Sequence, residues 1–178
     1  MNGYSVEKIL KEHGFPDFKW VSGKDIEVVR WARMKCLFGC PNYGTRGTCP
    51  PNVLSVEESR EFFREYETIA VIRIAASVQE IGDHRKWSRD TNRRLLELEK
   101  SVFKSGWPKA FALYVDGNCL CDECTGSRLD CTEKAGARPS PEALAVDVFS
   151  VVKKCGFPIE VLVTPDGEMN RYAFLLLS

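Results

Sequence analysis

A chain of 178 residues with 44% hydrophobic content can bury a core of its own, which excludes a disordered chain and predicts a single domain over 1–178. Its 25 basic and 25 acidic residues cancel, so neither the basic footprint of a nucleic-acid binder nor a polybasic membrane-surface face is present. The opening MNGYSVEKILKEHG has no apolar signal core, and no run approaches the length of a membrane span. The expectation is therefore a cytoplasmic protein, in whose reducing surroundings the eight cysteines are not a disulfide scaffold.

Ser5 to His13 reads as a short helix, with Val6, Ile9 and Leu10 at helical spacing and Gly14 as its stop. Phe18 to Met34, rich in aromatic and β-branched residues and divided by Ser22-Gly23-Lys24-Asp25, predicts two extended segments. Lys35 to Pro51 (KCLFGCPNYGTRGTCPP), with three glycines and three prolines, predicts an irregular loop. Ser55-Val56-Glu57-Glu58 is a capping box, ahead of a helix that buries Phe62, Phe63 and Tyr66. Thr68 to Ala76, almost continuously apolar, reads as a central strand covered on both faces. Asp83 to Ser105 repeats its apolar residues on a helical period and stops at Gly106. Ala110 to Val115 is again strand-like, so strand, helix and strand suggest a right-handed crossover. Ser140, Pro141 and Glu142 open a helix running to about Cys155, which falls on its core face as a small hydrophobe. Ile159 to Val163 and Tyr172 to Leu177, around Thr164-Pro165-Asp166-Gly167, predict a C-terminal hairpin. The expected fold class is α/β, with α+β as its alternative: a mixed sheet with helical crossovers, four to six strands and two cysteine loops, 36–51 and 117–139.

Cys119, Cys121, Cys124 and Cys131 form a C-x-C-x2-C-x6-C run within loop chemistry, and Cys36, Cys40 and Cys49 form C-x3-C-x8-C. Bridge geometry is hard to satisfy between such close neighbours, whereas a metal centre accepts closely spaced thiolates. Zinc favours paired C-x2-C knuckles, of which only Cys121 and Cys124 make one, and both histidines, His13 and His84, are remote in sequence. Iron-sulfur ligation is nearly all thiolate and tolerates irregular spacing. The proline after Cys40 and after Cys49 matches the Cys-Pro step of bacterial ferredoxins. The seven thiols divide as four plus three, for one or two 4Fe-4S clusters with zinc as the alternative. Three protein ligands on four irons would leave one iron open unless a further side chain completes the set. Arg128, Lys134 and Arg138 are candidates to offset the charge of the four-thiol site.

KCLFGCPNYGTRGTCPP, GNCLCDEC (Gly117 to Cys124), Cys131 with ARPSPEA (Ala137 to Ala143), Asp147-Val148-Phe149 and Asn170-Arg171-Tyr172 resemble an uncharacterised cysteine-rich family of predicted metal-binding proteins, domain of unknown function 2284. The resemblance is nearly full-length. It implies metal binding by the cysteines, as iron-sulfur, in mostly anaerobic prokaryotes, and it implies no reaction. The chain departs from the family pattern in spacing Cys119 and Cys121 as C-x-C where C-x2-C is usual, and in carrying Lys134 where a proline is usual. The functional expectation is electron-transfer or redox service to a larger anaerobic enzyme system, with a redox protein as partner. The alternatives are an enzyme using an open iron at Cys36, Cys40 and Cys49, and a zinc-binding structural module.

Overall fold

The computed structural model describes residues 5–77, 83–117, 120–161 and 168–178. In chain order the elements are α1 (Val6–Glu12), β1 (Phe18–Val21), α2 (Arg30–Gly39), α3 (Val56–Arg64), β2 (Ile69–Ser77), α4 (His84–Lys104), β3 (Phe111–Leu113), α5 (Val148–Lys154) and β4 (Glu168–Leu176). Short 3-10 turns lie at Gly23–Asp25 and Glu142–Leu144. Among the described residues no helix is long and apolar enough to cross a membrane.

The sheet is built on β2. Its side chains alternate between two separate cores, Ile69 and Val71 facing one, Ala70 and Ile72 the other, so a near-continuous apolar run is what this position requires. On the first face Phe63 of α3 and Val148, Val151 and Val152 of α5 pack against Phe174 and Leu176. On the second, Ile9 and Leu10 of α1 and Leu95, Leu98 and Val102 of α4 pack against Ala173 and Leu175. The arrangement is α/β, with a four-stranded sheet between two helical layers.

The strand order is β1-β2-β4-β3 and every ladder is antiparallel, not mixed as expected. The helical crossover does join two strands that run in the same direction, β2 and β3, but β4 is inserted between them and pairs with both. Ile69 faces Leu176 and Ser77 faces Glu168 across one ladder, while Leu113 faces Phe174 across the other. With both of its edges occupied, β4 has none left for a hairpin partner. Residues 159–161 accordingly form no strand, and the expected turn at 164–167 lies outside the described residues.

Two other expectations are corrected. The second extended segment is cut short: Val28 makes an isolated bridge with Val146, and the chain then turns into α2, so Trp31 and Cys36 are helical. The helix expected from Pro141 to Cys155 is broken in two. Ala145 adopts a left-handed conformation (φ 61°), its carbonyl accepts from Val29 N at 2.9 Å, and Asp147 recaps the chain by accepting from Ser150 N at 3.1 Å. The bridge to Val28 outcompetes helix continuity. The Ser55–Glu58 capping box forms as expected, its two hydrogen bonds measuring 3.1 and 2.8 Å, and Cys155 packs partly buried against the first core.

Candidate metal centre

Cys36 and Cys40 are placed by α2. They stand four residues apart on one helix face, Cys40 closing the helix with its amide donating to Cys36 O at 3.3 Å. Arg33, one turn before Cys36, ties α2 down by donating to Leu54 O at 2.9 Å and Ala143 O at 3.1 Å. Beyond Cys40 the chain folds on itself in a series of turns: Tyr43 N donates to Cys40 O, Gly44 N to Pro50 O, Cys49 N to Arg46 O and Asn52 N to Cys49 O, at 2.9 to 3.2 Å. This is the local chemistry that glycine, proline and asparagine favour. Thr48, only 5% exposed beside Cys49, has a hydroxyl with no protein partner among the described residues.

The second run is held by side chains from elsewhere. Asn92, fully buried in α4, donates to Val115 O and Gly117 O and accepts from Val115 N, at 3.1 to 3.2 Å, so it latches the chain just before the run. Asp116, at φ 54°, accepts from Ser88 Oγ at 2.9 Å and lies 2.9 Å from Arg171 Nε, an ion pair whose angle is too poor for a hydrogen bond. Arg85 donates to Cys121 O at 3.3 Å and Arg89 to Asp122 at 2.6 Å, so the first turns of α4 carry cations to the run. The guanidinium of Arg89 holds the Asp122 carboxyl below its ordinary pKa. At the far end Arg128 donates to Lys134 O at 2.6 Å, and Tyr114 donates to Gly136 O at 2.7 Å. Burial drives the Tyr114 phenol pKa well up, which keeps it a donor.

Of the three cations expected to offset charge, Arg128 braces the loop backbone. Arg138 is committed to a largely buried ion pair with Glu99, at 2.6 Å. Arg33 and Arg46 face the thiols of the first loop instead, and Arg85 and Arg89 contact the second run at Cys121 O and Asp122. Their roles are not visible in the sequence because two of them arrive from a helix more than thirty residues away.

The two thiol loops meet directly. A Cβ on Gly47 would lie 2.9 Å from Arg128 N and from Ser127 C, so the backbones are in contact there and only glycine fits. Gly126 approaches Thr45 O, and Asn52 Nδ2 bridges Arg46 O and Gly126 O, each at 3.1 Å. Cys49 Sγ stands 3.8 Å from where a Cβ on Gly117 would be.

Cys36, Cys40 and Cys49 line one cavity of about 220 Å³, together with Arg46, Asp116, Gly117, Ser140 and Glu142. A larger cavity, about 890 Å³, shares Cys36, Cys40 and Glu142 with it and extends over Trp31, Phe38, Phe149, Arg171 and Tyr172. Glu142 presents accessible surface to both, yet the protein crowded around it raises its carboxyl pKa, with Asp116 adding to the effect and Arg171 opposing it.

The thiol pKa values carry the same geometry. Burial raises Cys36, with Cys40 adding to it and Arg33 opposing. Burial also raises Cys49; Arg46 opposes, and Cys40, Cys36 and Cys124 of the other run add to it. Cys121 is raised by burial, then by Cys124 and Cys131. Thiols crowded this way resist ionising together until a cation compensates them, and a coordinating thiol is deprotonated outright.

The structure thus brings Cys36, Cys40 and Cys49 to one cavity, and sets Cys121 within electrostatic reach of Cys124 and of Cys131; Cys119 lies outside the described residues. All seven described cysteines are free thiols. Among the described residues no three His, Cys, Asp or Glu side chains are gathered closely enough to hold one metal ion. His13 is bonded to Ser101 at 3.0 Å, away from both runs, whereas His84 lies 3.5 Å from Asp116, a residue that lines the thiol cavity, without itself lining it.

Fold and site together define a cysteine-rich α/β protein whose two thiol loops meet. The chain belongs to the family described as predicted metal-binding protein (DUF2284), whose sequence model matches residues 19–177. No curated protein and no solved structure matches it.

Proposed function

We propose that this is an iron-sulfur protein, holding one or two 4Fe-4S clusters on Cys36, Cys40 and Cys49 and on Cys121, Cys124 and Cys131 with Cys119, in electron-transfer service to a redox partner within a larger anaerobic enzyme system. The chain acts as one domain, in the reducing cytoplasm where such thiols persist. The observation that carries this reading is the convergence of two loops rich in free thiols without a histidine among them. A zinc site of tetrahedral geometry needs its donors packed around a single ion at about 2.3 Å each. Thiols that lie near one another yet, among the described residues, form no single-ion group suit a larger, multi-iron cluster. When bound, such a cluster supplies one-electron chemistry. The chain's own residues provide thiolates; Arg33 and Arg46 temper the charge of Cys36 and Cys49, and Arg85 and Arg89 anchor the second run at Cys121 O and Asp122.

A second reading, catalysis at an open iron of the Cys36, Cys40 and Cys49 set, is favoured by the 890 Å³ cavity that adjoins Cys36 and Cys40.

Iron, acid-labile sulfide and zinc per chain in anaerobically purified protein, with visible absorption before and after dithionite, test both. The expected outcome is iron and sulfide in equal amounts, with absorption bleached on reduction. Colourless protein with zinc and no sulfide would sink both iron readings. A spectral change on adding cyanide is expected from a three-thiol site with an open iron and not from a fully ligated one.

A further inference from the structure

The seam between the loops constrains where the two thiol sets stand relative to one another. Gly47 against Ser127 and Arg128 and Thr45 against Gly126 are backbone contacts, and the Asn52 side chain bridges a carbonyl of each loop, so the two loops have no freedom to separate without breaking them. Cys49 is two residues from one side of that seam and Cys124 two residues from the other. We propose that the two thiol sets hold their metal groups as one adjoining pair, meeting across the seam at Cys49 and Cys124. The inference rests on the iron-sulfur reading of both sets and adds to it a fixed spatial relation. Cys49 Sγ also stands 3.8 Å from where a Cβ on Gly117, at the start of the second loop, would be. Electrostatics then couples the pair: each thiolate-ligated group is anionic, and charge added to one opposes charge added to its neighbour, through a partly buried medium that screens poorly.

The test is electron paramagnetic resonance of the anaerobic protein reduced by dithionite, which gives up one electron to each centre and is itself oxidised to sulfite. The wild-type spectrum at two microwave frequencies is expected to show splittings that do not scale with field, the signature of two neighbouring spins. Cys131→Ala and Cys40→Ala, each removing a ligand from one set, are expected to leave about half the iron and narrow, isolated signals. The wild-type spectrum should differ from the sum of those two. The Gly47→Val variant keeps every thiol but forces the backbones apart, and its spectrum is expected to approach the sum. A wild-type spectrum that scales with field and equals the sum of the single-set variants would overturn the pairing. Iron and sulfide measured on the same samples separate the failures: their absence defeats the iron-sulfur reading and the pairing with it, whereas their presence with additive spectra defeats the pairing alone.

Discussion

The two thiol loops reach the same place by different means. Cys36 and Cys40 ride on a helix, so their spacing follows from 3.6 residues per turn and survives as long as α2 does. Cys121, Cys124 and Cys131 have no regular element beneath them. Their positions depend on Asn92, Arg85, Arg89 and Tyr114, all supplied by α4 and the chain just after β3. One set is preorganised by its own backbone, the other by distant side chains. The second should therefore be the first to fail when the scaffold is disturbed.

The largest way to break that contrast is Glu99→Ala. Glu99, 9% exposed, accepts from Arg138 at 2.6 Å and from Ala112 N at 2.7 Å, so its loss strands a buried guanidinium and a strand amide together. Destabilisation of about 3–5 kcal/mol is expected, read as a lower urea midpoint with unchanged slope. Next comes Asn92→Leu, which removes three buried hydrogen bonds and should cost about 2–3 kcal/mol. Metal content should fall in the second set before the first; equal loss from both would erase the distinction between them. Arg33→Met is the converse, freeing α2 from Leu54 and Ala143 for about 1–2 kcal/mol, and its metal loss should fall on the Cys36 set. Smallest is Ser55→Ala, which deletes the α3 cap for about 1 kcal/mol and should leave the metal content of both sets intact.

What was legible in the sequence follows the same division. β2 could be read because a strand buried on both faces must be apolar at every position, and α4 because Leu95, Leu98 and Val102 mark one buried side. α2 could not: none of its residues is buried, so no stripe facing a core announces a helix, and the glycines and prolines that follow dominate the reading. The break in the helix from Pro141 is not legible locally, because it occurs at Ala145 beside the bridge to Val28, more than a hundred residues away. The insertion of β4 between β2 and β3, which makes every ladder antiparallel, is likewise a non-local choice. The thiols themselves were conspicuous by spacing. That their loops would touch depends on Gly47 and Gly126, two glycines indistinguishable in sequence from ordinary turn residues.

β4 also has a consequence for timing. It follows every other described element in the chain yet occupies the interior of the sheet. On the ribosome β2 and β3 emerge early with no ladder to each other, and both wait with exposed edges for the last strand. Arg171, which steadies Asp116 at the threshold of the second thiol run, arrives on that strand as well. Closure of the sheet is thus deferred until β4 has emerged, and a nascent chain stalled short of that strand should have both thiol loops exposed and lack the Arg171 contact that steadies Asp116.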